Sequence, residues 1–540
     1  MATFRVIVAL SFIAAGRCTS VSKATLPTVT LPYETHQAYS LIDGVYNFSN
    51  IRYAAAPTGS LRFQPPASPS VSSGTVDTGI VGRMCPQADP LWLGELAHNF
   101  VVDYVSGEEY TGPTSVSSSS YTPGPQDPRI TEDCLFLDVL TPQSIFNNET
   151  ASAPVVVWIY GGGYTEGDKP FYNGTSLILR NIVDGGEGFV YVGINYRLGA
   201  FGFLSGSGAT ENVGLLDQRF ALEWVQTNIH LFGGNPNNVT IMGESAGGGS
   251  VFTQITAYGG KNTPPPFQRA ILQSPAIYPI TSEMQQSSLQ GFLGLLNVTT
   301  VAAAQNLESS QLIAANEQQI ALAPWGNIPY GPVASGSFLP ELPSQLLLNG
   351  EFYQSIEVMV AHNSDEGIAF TPPTMNTTQN LPTLFEDYFP ALTSSDVAYL
   401  LDTLYPATFD GSYGYVDAIG RAAAIIGDTI ISCNTDFVNK AFSNNTYAYE
   451  FAVFPGIHAQ DVSYTFYSGA SASVSNVTVA YGMQDYITSF VVSGTPKSSL
   501  GPTFSKHGNG ALELEFNQAS IAVTQDPTSS SRCAWLQTAL

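Results

Sequence analysis

The chain has few basic residues. Its 540 residues include 18 lysines and arginines against 43 aspartates and glutamates, a formal net charge of −25 at pH 7. Nucleic acid is bound mainly by basic side chains that neutralise phosphates, so this balance excludes nucleic acid as a partner. An acidic surface is also a poor match for anionic lipids. The composition therefore favours a globular protein whose partners are not polyanions.

Long apolar runs are also scarce. Residues 6–15 form an apolar run after Arg5, but this run is too short to cross a bilayer. Small residues follow it up to Ser20, so we predict a signal peptide over residues 1–20 and a secreted mature protein without a transmembrane segment. Eight Asn-x-Ser/Thr sequons are compatible with that route and with glycosylation, at Asn47, Asn148, Asn173, Asn238, Asn297, Asn376, Asn444 and Asn476.

Cysteines are few, and no internal repeat or linker divides the chain. We therefore predict a single domain over residues 21–540. The sequence has no Cys/His cluster with metal-ligand spacing and no phosphate-binding loop, so we expect neither a metal nor an organic cofactor. Of the five cysteines, Cys18 is expected to leave with the signal peptide. Three disulfide pairings are possible for the remaining four, which are Cys85, Cys134, Cys433 and Cys533.

The most informative stretch that is present is residues 243–247, which read G-E-S-A-G with Ser245 in the middle. They follow a β-type run at residues 239–242 and match the G-x-S-x-G pattern, in which a sharp turn after a strand exposes a serine hydroxyl. Glycines without Cβ let the chain bend there. A bare match also arises by chance among 50 glycines. The preceding β run favours a nucleophile over a Gly/Ser turn without chemistry.

A serine nucleophile needs hydrogen-bond donors for the oxyanion that forms during acyl transfer. Residues 154–160 are apolar and β-branched on both faces, which predicts a buried strand, and three glycines follow at 161–163. Backbone N–H groups of such glycines can face a cleft, as in the H-G-G-G type of loop, with Tyr160 where histidine often stands. The N–H of Ala246 is the other expected donor. The alternative for the glycines is a flexible turn.

The acid and the base are expected after the serine, in the order Ser, Asp/Glu, His. A predicted strand at residues 356–361 leads into a loop with Asp365 and Glu366, and either carboxylate fits by its chemistry. A second predicted strand ends shortly before His458. Chain order leaves His458 and His507 as candidate bases, and the Lys-His-Gly-Asn-Gly context of His507 predicts a surface turn. His458 is therefore the preferred base.

Further segments match a known family in order along nearly the whole chain: residues 51–57, 61–66, 131–139, 158–163, 195–204, 212–220, 224–226, 232–236, 243–247 and 269–274. On these segments the chain resembles the type-B carboxylesterase/lipase family, which includes cholinesterases and secreted fungal lipases. The resemblance implies an α/β-hydrolase fold. Such a fold has a large, mostly parallel central sheet flanked by helices, with loop and helical insertions over the active site.

The resemblance also implies roles for individual residues. It implies a nucleophile, an acid and a base at Ser245, Glu366 and His458, and so favours Glu366 over Asp365. The implied oxyanion hole consists of the N–H groups of Gly162, Gly163 and Ala246. The family's N-terminal disulfide implies the pair Cys85–Cys134, and the pair Cys433–Cys533 then follows by subtraction.

The implied activity is hydrolysis of a small-molecule or lipid carboxylic ester without a cofactor. One alternative is a lipase that acts on acylglycerols at interfaces, and another is a non-catalytic binding or adhesion homologue. Retention of all three triad residue types argues against the second alternative. The loop closed by the first disulfide carries Leu91, Trp92 and Leu96, which form a lid over the acyl pocket under one hypothesis and anchor a packed loop under the other.

Overall fold

The structure is a computed structural model that describes residues 26–539 except residues 73, 116–120, 122, 125, 263, 383–384, 386–388 and 390–391. The predicted signal peptide at residues 1–20, with Cys18, lies outside the described residues. Within the described part of the chain, no helix combines the length and apolar character needed to span a membrane.

The strands of the fold are β1 (Thr28–Thr30), β2 (Thr35–Gln37), β3 (Ser40–Ile42), β4 (Val45–Arg52), β5 (Val76–Asp77), β6 (Phe136–Pro142), β7 (Ala153–Ile159), β8 (Val190–Ile194), β9 (Gly234–Glu244), β10 (Arg269–Gln273), β11 (Glu357–Asn363), β12 (Tyr447–Ala452), β13 (Leu512–Asn517) and β14 (Ile521–Gln525). Among the described residues, eleven of them form one sheet in the order β14-β13-β12-β11-β10-β9-β7-β8-β6-β4-β3. Strands β1, β2 and β5 form a small separate sheet.

The middle of the large sheet is parallel, from β13 through β8, and the strands at both edges are antiparallel. Every residue of β8 is buried, and so are residues 155–159 of β7. Strands buried on both faces need helices on both sides of the sheet, which explains their continuous apolar sequence. The observed architecture is therefore the predicted mostly parallel sheet flanked by helices.

The α-helices cover Ala97–Ser106, Gln143–Phe146, Thr175–Val183, Gly199–Phe203, Val213–Asn228, Ala246–Thr256, Ser282–Leu295, Val301–Ala304, Ser309–Ala321, Pro343–Leu348, Ser394–Tyr399, Ala418–Gly427, Cys433–Ala441, Val462–Thr465, Val477–Ser493 and Ser531–Ala539. Short 3-10 or π turns cover Gly59–Leu61, Trp92–Leu96, Lys169–Phe171, Ile229–Phe232, Ala257–Gly260, Ile368–Phe370, Pro373–Met375, Leu400–Leu404 and Asp428–Ser432.

Two disulfides are present, Cys85–Cys134 and Cys433–Cys533. The first closes the loop that leads into the helix Ala97–Ser106. The second joins the helix Cys433–Ala441 to the C-terminal helix Ser531–Ala539. Both pairs are those expected from the sequence.

Neighbouring strands bring the predicted site residues to one edge of the sheet. Gly162 follows β7, Ser245 follows β9, Glu366 follows β11 and His458 follows β12. These strands, together with β10, are adjacent in the sheet and mutually parallel, so their carboxyl ends meet at the same edge. This edge is where open α/β sheets bind their ligands.

Candidate active site

Ser245 stands alone between β9 and the helix Ala246–Thr256, with φ 58° and ψ −125°. A non-glycine residue rarely adopts this backbone conformation, and such strain is typical of functional turns. Hydrogen bonds hold the turn, because the Ser245 N–H donates to the Gln273 carbonyl at 3.1 Å and the Ala276 N–H donates to the Ser245 carbonyl at 3.1 Å. The strained conformation is that of Ser245 itself, and these bonds keep it in place.

The two flanking glycines allow the sharp bend because they have no Cβ, as expected. Neither Gly243 nor Gly247 has a positive φ, so they contribute space and not an unusual backbone conformation. A Cβ on Gly247 would lie 2.0 Å from the Ile159 carbonyl oxygen, and one on Gly243 would lie 2.5 Å from the backbone of Gly247. The strand, the turn and the helix can approach this closely only without those side chains.

His458 lies between the serine and a carboxylate. Its Nε2 accepts a hydrogen bond from Ser245 Oγ at 2.8 Å, and its Nδ1 donates to Glu366 Oε2 at 2.5 Å. The imidazole is buried and packs edge-on against the ring of Phe370, with centroids 5.1 Å apart. The three side chains thus form one continuous hydrogen-bonded chain.

The other oxygen of Glu366 is also held. Its Oε1 accepts from Ser274 Oγ at 2.7 Å and from the Asn363 backbone N–H at 2.5 Å. Asp365, the alternative carboxylate, makes no hydrogen bond to His458 among the described residues, and its own N–H donates to the Gly456 carbonyl. Geometry therefore separates the two adjacent acids where their chemistry alone did not.

Charge and burial shift the pKa values of Glu366 and His458 in opposite directions. Burial raises the pKa of Glu366, but the charge of His458 and hydrogen bonds from His458, Ser274 and Asn363 outweigh it and lower that pKa below its usual value. Burial lowers the pKa of His458, but the charge and hydrogen bond of Glu366, with smaller contributions from Glu244 and Asp461, raise it to about 9. Glu366 is thus an ionised partner that favours a cationic imidazole.

Two further buried carboxyl groups lie near the imidazole. Burial raises the pKa of Glu244 to about 8, and its Oε1 lies 3.6 Å from His458 Nε2. Burial also raises the pKa of Asp461 to about 6, and this residue accepts a hydrogen bond from Gln273 Nε2 at 2.9 Å. Burial thus opposes the ionisation of both carboxyl groups beside His458.

The glycine loop after β7 faces the same space as Ser245. Gly162 and Gly163 have φ values of 93° and 59°, which only glycine adopts readily. No described residue accepts a hydrogen bond from the N–H of Gly162, Gly163 or Ala246, and all three residues line one cavity with Ser245. Tyr160 does not line it, since its ring is buried and stacks on Tyr196.

The cavity has a volume of about 600 Å³. Its walls are mostly apolar and include Ala97, Val101, Val102, Val105, Tyr164, Tyr278, Ile328, Tyr330, Phe370, Ile430, Phe454 and Ile457. Ser245 and His458 are among the polar residues of its lining. An apolar pocket with a few converging polar groups is the usual form of a small-molecule site.

The three residues proposed as a lid do not line this cavity. Trp92 is buried, stacks on Trp325 with ring centroids 6.1 Å apart, and donates a hydrogen bond to the Asn327 carbonyl at 3.2 Å. Leu91 is 38% exposed. The disulfide loop contributes instead through Leu93 and the helix Ala97–Ser106, which forms a cavity wall. Of the two hypotheses for Leu91, Trp92 and Leu96, this arrangement favours the packed loop over a lid that covers the pocket.

The expectation that His507 lies in a surface turn is wrong. Its side chain is 2% exposed, and its Nε2 lies 3.0 Å from Asp526 Oδ2. The polar residues around His507 predicted exposure. Its buried partner, Asp526, could not be recognised because it is distant in sequence. The structure therefore separates His507 from the chain of hydrogen bonds that contains His458.

Two supporting residues were missed by the sequence reasoning. Ser274 and Asn363 stand at the ends of β10 and β11 and hold Glu366 in place. Ser274 is the last residue of one of the segments that carry the family resemblance, but no role was predicted for it. Polar residues at the ends of neighbouring parallel strands are the signal that would have identified both.

Comparison with known proteins identifies the family. The sequence profile described as "Carboxylesterase family" matches residues 34–532. The chain belongs to the carboxylesterase family. Carboxylesterase patB of Aspergillus clavatus is 37% identical over 541 residues, which cover 96% of this chain and 97% of that protein. The secreted triacylglycerol lipase LIP1 of Gibberella zeae is 31% identical over 466 residues, 78% of this chain and 75% of that protein.

A solved structure agrees with this assignment. The crystal structure of Aspergillus niger EstA superposes with a TM-score of 0.78 at 25% identity, covering 96% of this chain and 99% of that one. This member of the carboxylesterase family is accordingly a carboxylic ester hydrolase with the predicted α/β-hydrolase fold.

Proposed function

We propose that the protein is a secreted serine carboxylesterase that works through an acyl-enzyme on Ser245. The observation that carries the proposal is His458, which lies 2.8 Å from the Ser245 hydroxyl and 2.5 Å from Glu366. A serine hydroxyl is a weak nucleophile at neutral pH and needs an adjacent base held by a third group. These three side chains meet that requirement.

In the first half-reaction, neutral His458 takes the proton from Ser245 Oγ as that oxygen attacks the ester carbonyl carbon. The resulting imidazolium is stabilised by ionised Glu366. His458 then gives its proton to the departing alkoxide oxygen, and the C–O bond to the alcohol breaks. Water repeats the sequence on the acyl-enzyme, which releases the carboxylic acid and restores the serine.

The tetrahedral oxyanion is held by the N–H groups of Gly162, Gly163 and Ala246. Their free donors beside Ser245 support this assignment, because preorganised donors stabilise the charge that develops in the transition state. Removal of one such donor in other hydrolases costs about 10²–10³ in kcat.

The cavity supports an ester with an apolar acyl or alcohol part. Its mostly apolar walls remove such a group from water, and its volume of about 600 Å³ suits a small-molecule ester. Secretion is supported by the signal-like start of the chain and by the two disulfides, which persist in oxidising compartments. We propose residues 21–540 as the mature single domain.

The proposal is tested with a panel of p-nitrophenyl esters of increasing acyl length. We expect hydrolysis of the short members and a decline once the acyl chain exceeds what the cavity holds. Absence of hydrolysis across the panel by folded protein would favour a non-catalytic binding homologue on the same scaffold.

Replacement of Glu366, the proposed acid of the triad, should lower kcat strongly. In Glu366→Gln the amide carbonyl can still accept from Ser274 and Asn363, so its NH₂ faces His458 Nδ1. The imidazole then prefers the tautomer that has no lone pair toward Ser245, and we expect kcat to fall by about 10⁴, as in an analogous protease exchange. The measurement is the steady-state kcat with p-nitrophenyl butyrate.

Asp365→Asn is the matched control for this prediction. Asp365 adjoins Glu366 but makes no hydrogen bond to His458, so its variant should retain kcat within about tenfold of the wild type. A larger loss in Asp365→Asn than in Glu366→Gln would reassign the acid to Asp365.

The lipase alternative predicts activation at an oil–water interface. We expect none, because Trp92 is fixed by Trp325 and Asn327 and the helix Ala97–Ser106 is a packed wall. The rate against the concentration of a medium-chain triglyceride should follow one hyperbola through the solubility limit. A jump when the emulsion forms, abolished by changing Leu91, Trp92 and Leu96 to serine, would instead establish a lid.

A further inference from the structure

A second group of titratable side chains lies away from the cavity. His362 is near the end of β11, Glu513 is in β13, and Asp526 directly follows β14. All three are buried, and each offers one donor atom within 4.8 Å of the donor atoms of the other two. None of the three lines the catalytic cavity.

The imidazole of His362 is held in one tautomer. Its Nδ1 lies 2.9 Å from the Asn363 carbonyl oxygen, and since a carbonyl only accepts, Nδ1 carries the proton. Nε2 is buried and has no hydrogen-bond partner among the described residues. Metal-binding histidines are commonly oriented in this way, with one ring N–H on a backbone carbonyl and the other nitrogen free for the metal.

Glu513 faces the same gap. Its Oε1 is also buried without a partner among the described residues. No described carboxylate oxygen lies within 4.0 Å of a His362 nitrogen, although the donor atoms lie within 4.8 Å. That separation is too long for one shared hydrogen bond. Zinc bonds of about 2 Å in tetrahedral geometry would draw the donor atoms closer together than this separation.

Asp526 is oriented by its surroundings. Its Oδ1 accepts from the Thr528 N–H at 2.7 Å and from Thr528 Oγ1 at 2.6 Å, and its Oδ2 lies 3.0 Å from His507 Nε2. Ligating carboxylates are typically held by such outer hydrogen bonds. His507, which has no part in the proposed triad, thus has a role as support for Asp526.

The surroundings of His362 attract a cation. Glu450 is the register partner of His362 in the sheet, and Glu450 is in turn the register partner of Glu515. Buried, unpaired carboxyl groups are costly unless they gain a positive partner.

We propose that His362, Glu513 and Asp526 bind one divalent transition-metal ion, best Zn²⁺, as a structural site. One imidazole nitrogen with carboxylate oxygens is a donor set that suits zinc, whereas Ca²⁺ and Mg²⁺ take oxygen ligands. Complete burial leaves no open position for a substrate. The ion would tie β11 to β13 and to the turn after β14, beside the helices joined by Cys433–Cys533.

The test begins with the metal content of the wild-type protein. After expression in zinc-containing medium and extensive dialysis, we expect about one zinc per chain by plasma mass spectrometry. Removal with a strong chelator should lower Tm by several degrees, and added Zn²⁺, but not Ca²⁺ or Mg²⁺, should restore it.

Two variants locate the ion. His362→Asn keeps a donor near the Nδ1 position and removes Nε2, while Glu513→Gln keeps the shape and removes the charge. Each should lower the bound zinc by at least about tenfold. Glu515→Gln is the matched control, since Glu515 lies on the same strand outside the triplet, and it should bind zinc as the wild type does.

Some outcomes would overturn the site. Wild-type protein that carries no metal and shows no Tm response to Zn²⁺ would mean that protons, not a metal, neutralise the triplet. Zinc retained in both ligand variants would place it elsewhere, and recovery of Tm by Ca²⁺ would contradict an imidazole ligand. If the variants do not fold, the chelation and re-addition series on the wild type still decides the question.

Discussion

Replacement of Ser245 by alanine is expected to lower kcat for p-nitrophenyl butyrate by about 10⁶. The variant removes the nucleophilic oxygen, which is the only oxygen among the described residues within hydrogen-bond distance of His458 Nε2, so no acyl-enzyme can form. Residual turnover would come from water acting within the remaining oxyanion donors and binding pocket. The measurement is kcat on active-site-titrated wild type against the variant at matched protein concentration.

Folding should survive this change. Within the described part of the chain the Ser245 hydroxyl makes one hydrogen bond, to His458, while the turn itself is held by backbone bonds that alanine keeps. We therefore expect Tm within a few degrees of the wild type. Ser207→Ala, at an exposed serine, is the control for the substitution itself. Activity of folded Ser245→Ala within tenfold of the wild type would falsify the proposed nucleophile.

Much of the sheet was predictable because buried parallel strands have continuous apolar sequences. The predicted strand at 154–160 is β7 at Ala153–Ile159, and the one at 356–361 is β11 at Glu357–Asn363. The position of the turn at Ser245 followed from the strand before it, β9, and the G-x-S-x-G pentapeptide at residues 243–247. Boundaries differed by one or two residues for these two strands, since the last hydrogen bonds depend on the neighbouring strands.

The choice between Asp365 and Glu366 was not available from local sequence. Both are acidic and adjacent, and only the direction of each side chain relative to His458, 92 residues later, separates them. The same is true of Ser274, whose contact with Glu366 also spans 92 residues. Such contacts depend on strand order, which the residue pattern alone does not determine.

The side-chain positions that the residue pattern misjudged or left open share one physical cause. His507 lies in a polar stretch that is typical of a turn, yet its partner Asp526 makes burial tolerable. His362 adjoins the loop that carries Glu366 in the sequence, yet its side chain belongs to another cluster, with Glu513 and Asp526. Trp92, for which the sequence left a lid and a packed loop both open, is fixed by Trp325. In each case a partner distant in sequence decided the position of the side chain.

Replacement of His458 by alanine is expected to be nearly as damaging as loss of the serine, about 10⁶ in kcat, because the two act as a unit. Without the imidazole, Ser245 has no base and the leaving alkoxide has no acid. His230→Ala is the matched control, since His230 is exposed and does not line the cavity, and it should match the wild type. His507→Asn should lose stability but keep its kcat per folded molecule, because His507 contacts Asp526 and not Ser245.

The role of His458 as the base also determines how kcat/KM of the wild type depends on pH. Only neutral His458 can accept the serine proton, so kcat/KM must fall as the pH drops below the pKa of His458 in the free enzyme. Nearby carboxylates raise that pKa to about 9, above the ordinary imidazole value of about 6.5. We therefore expect kcat/KM to keep rising with pH above pH 7. A plateau that extends below pH 6 would show that the base is not a histidine with a raised pKa, and an inactive but folded His507→Asn would move the base to His507.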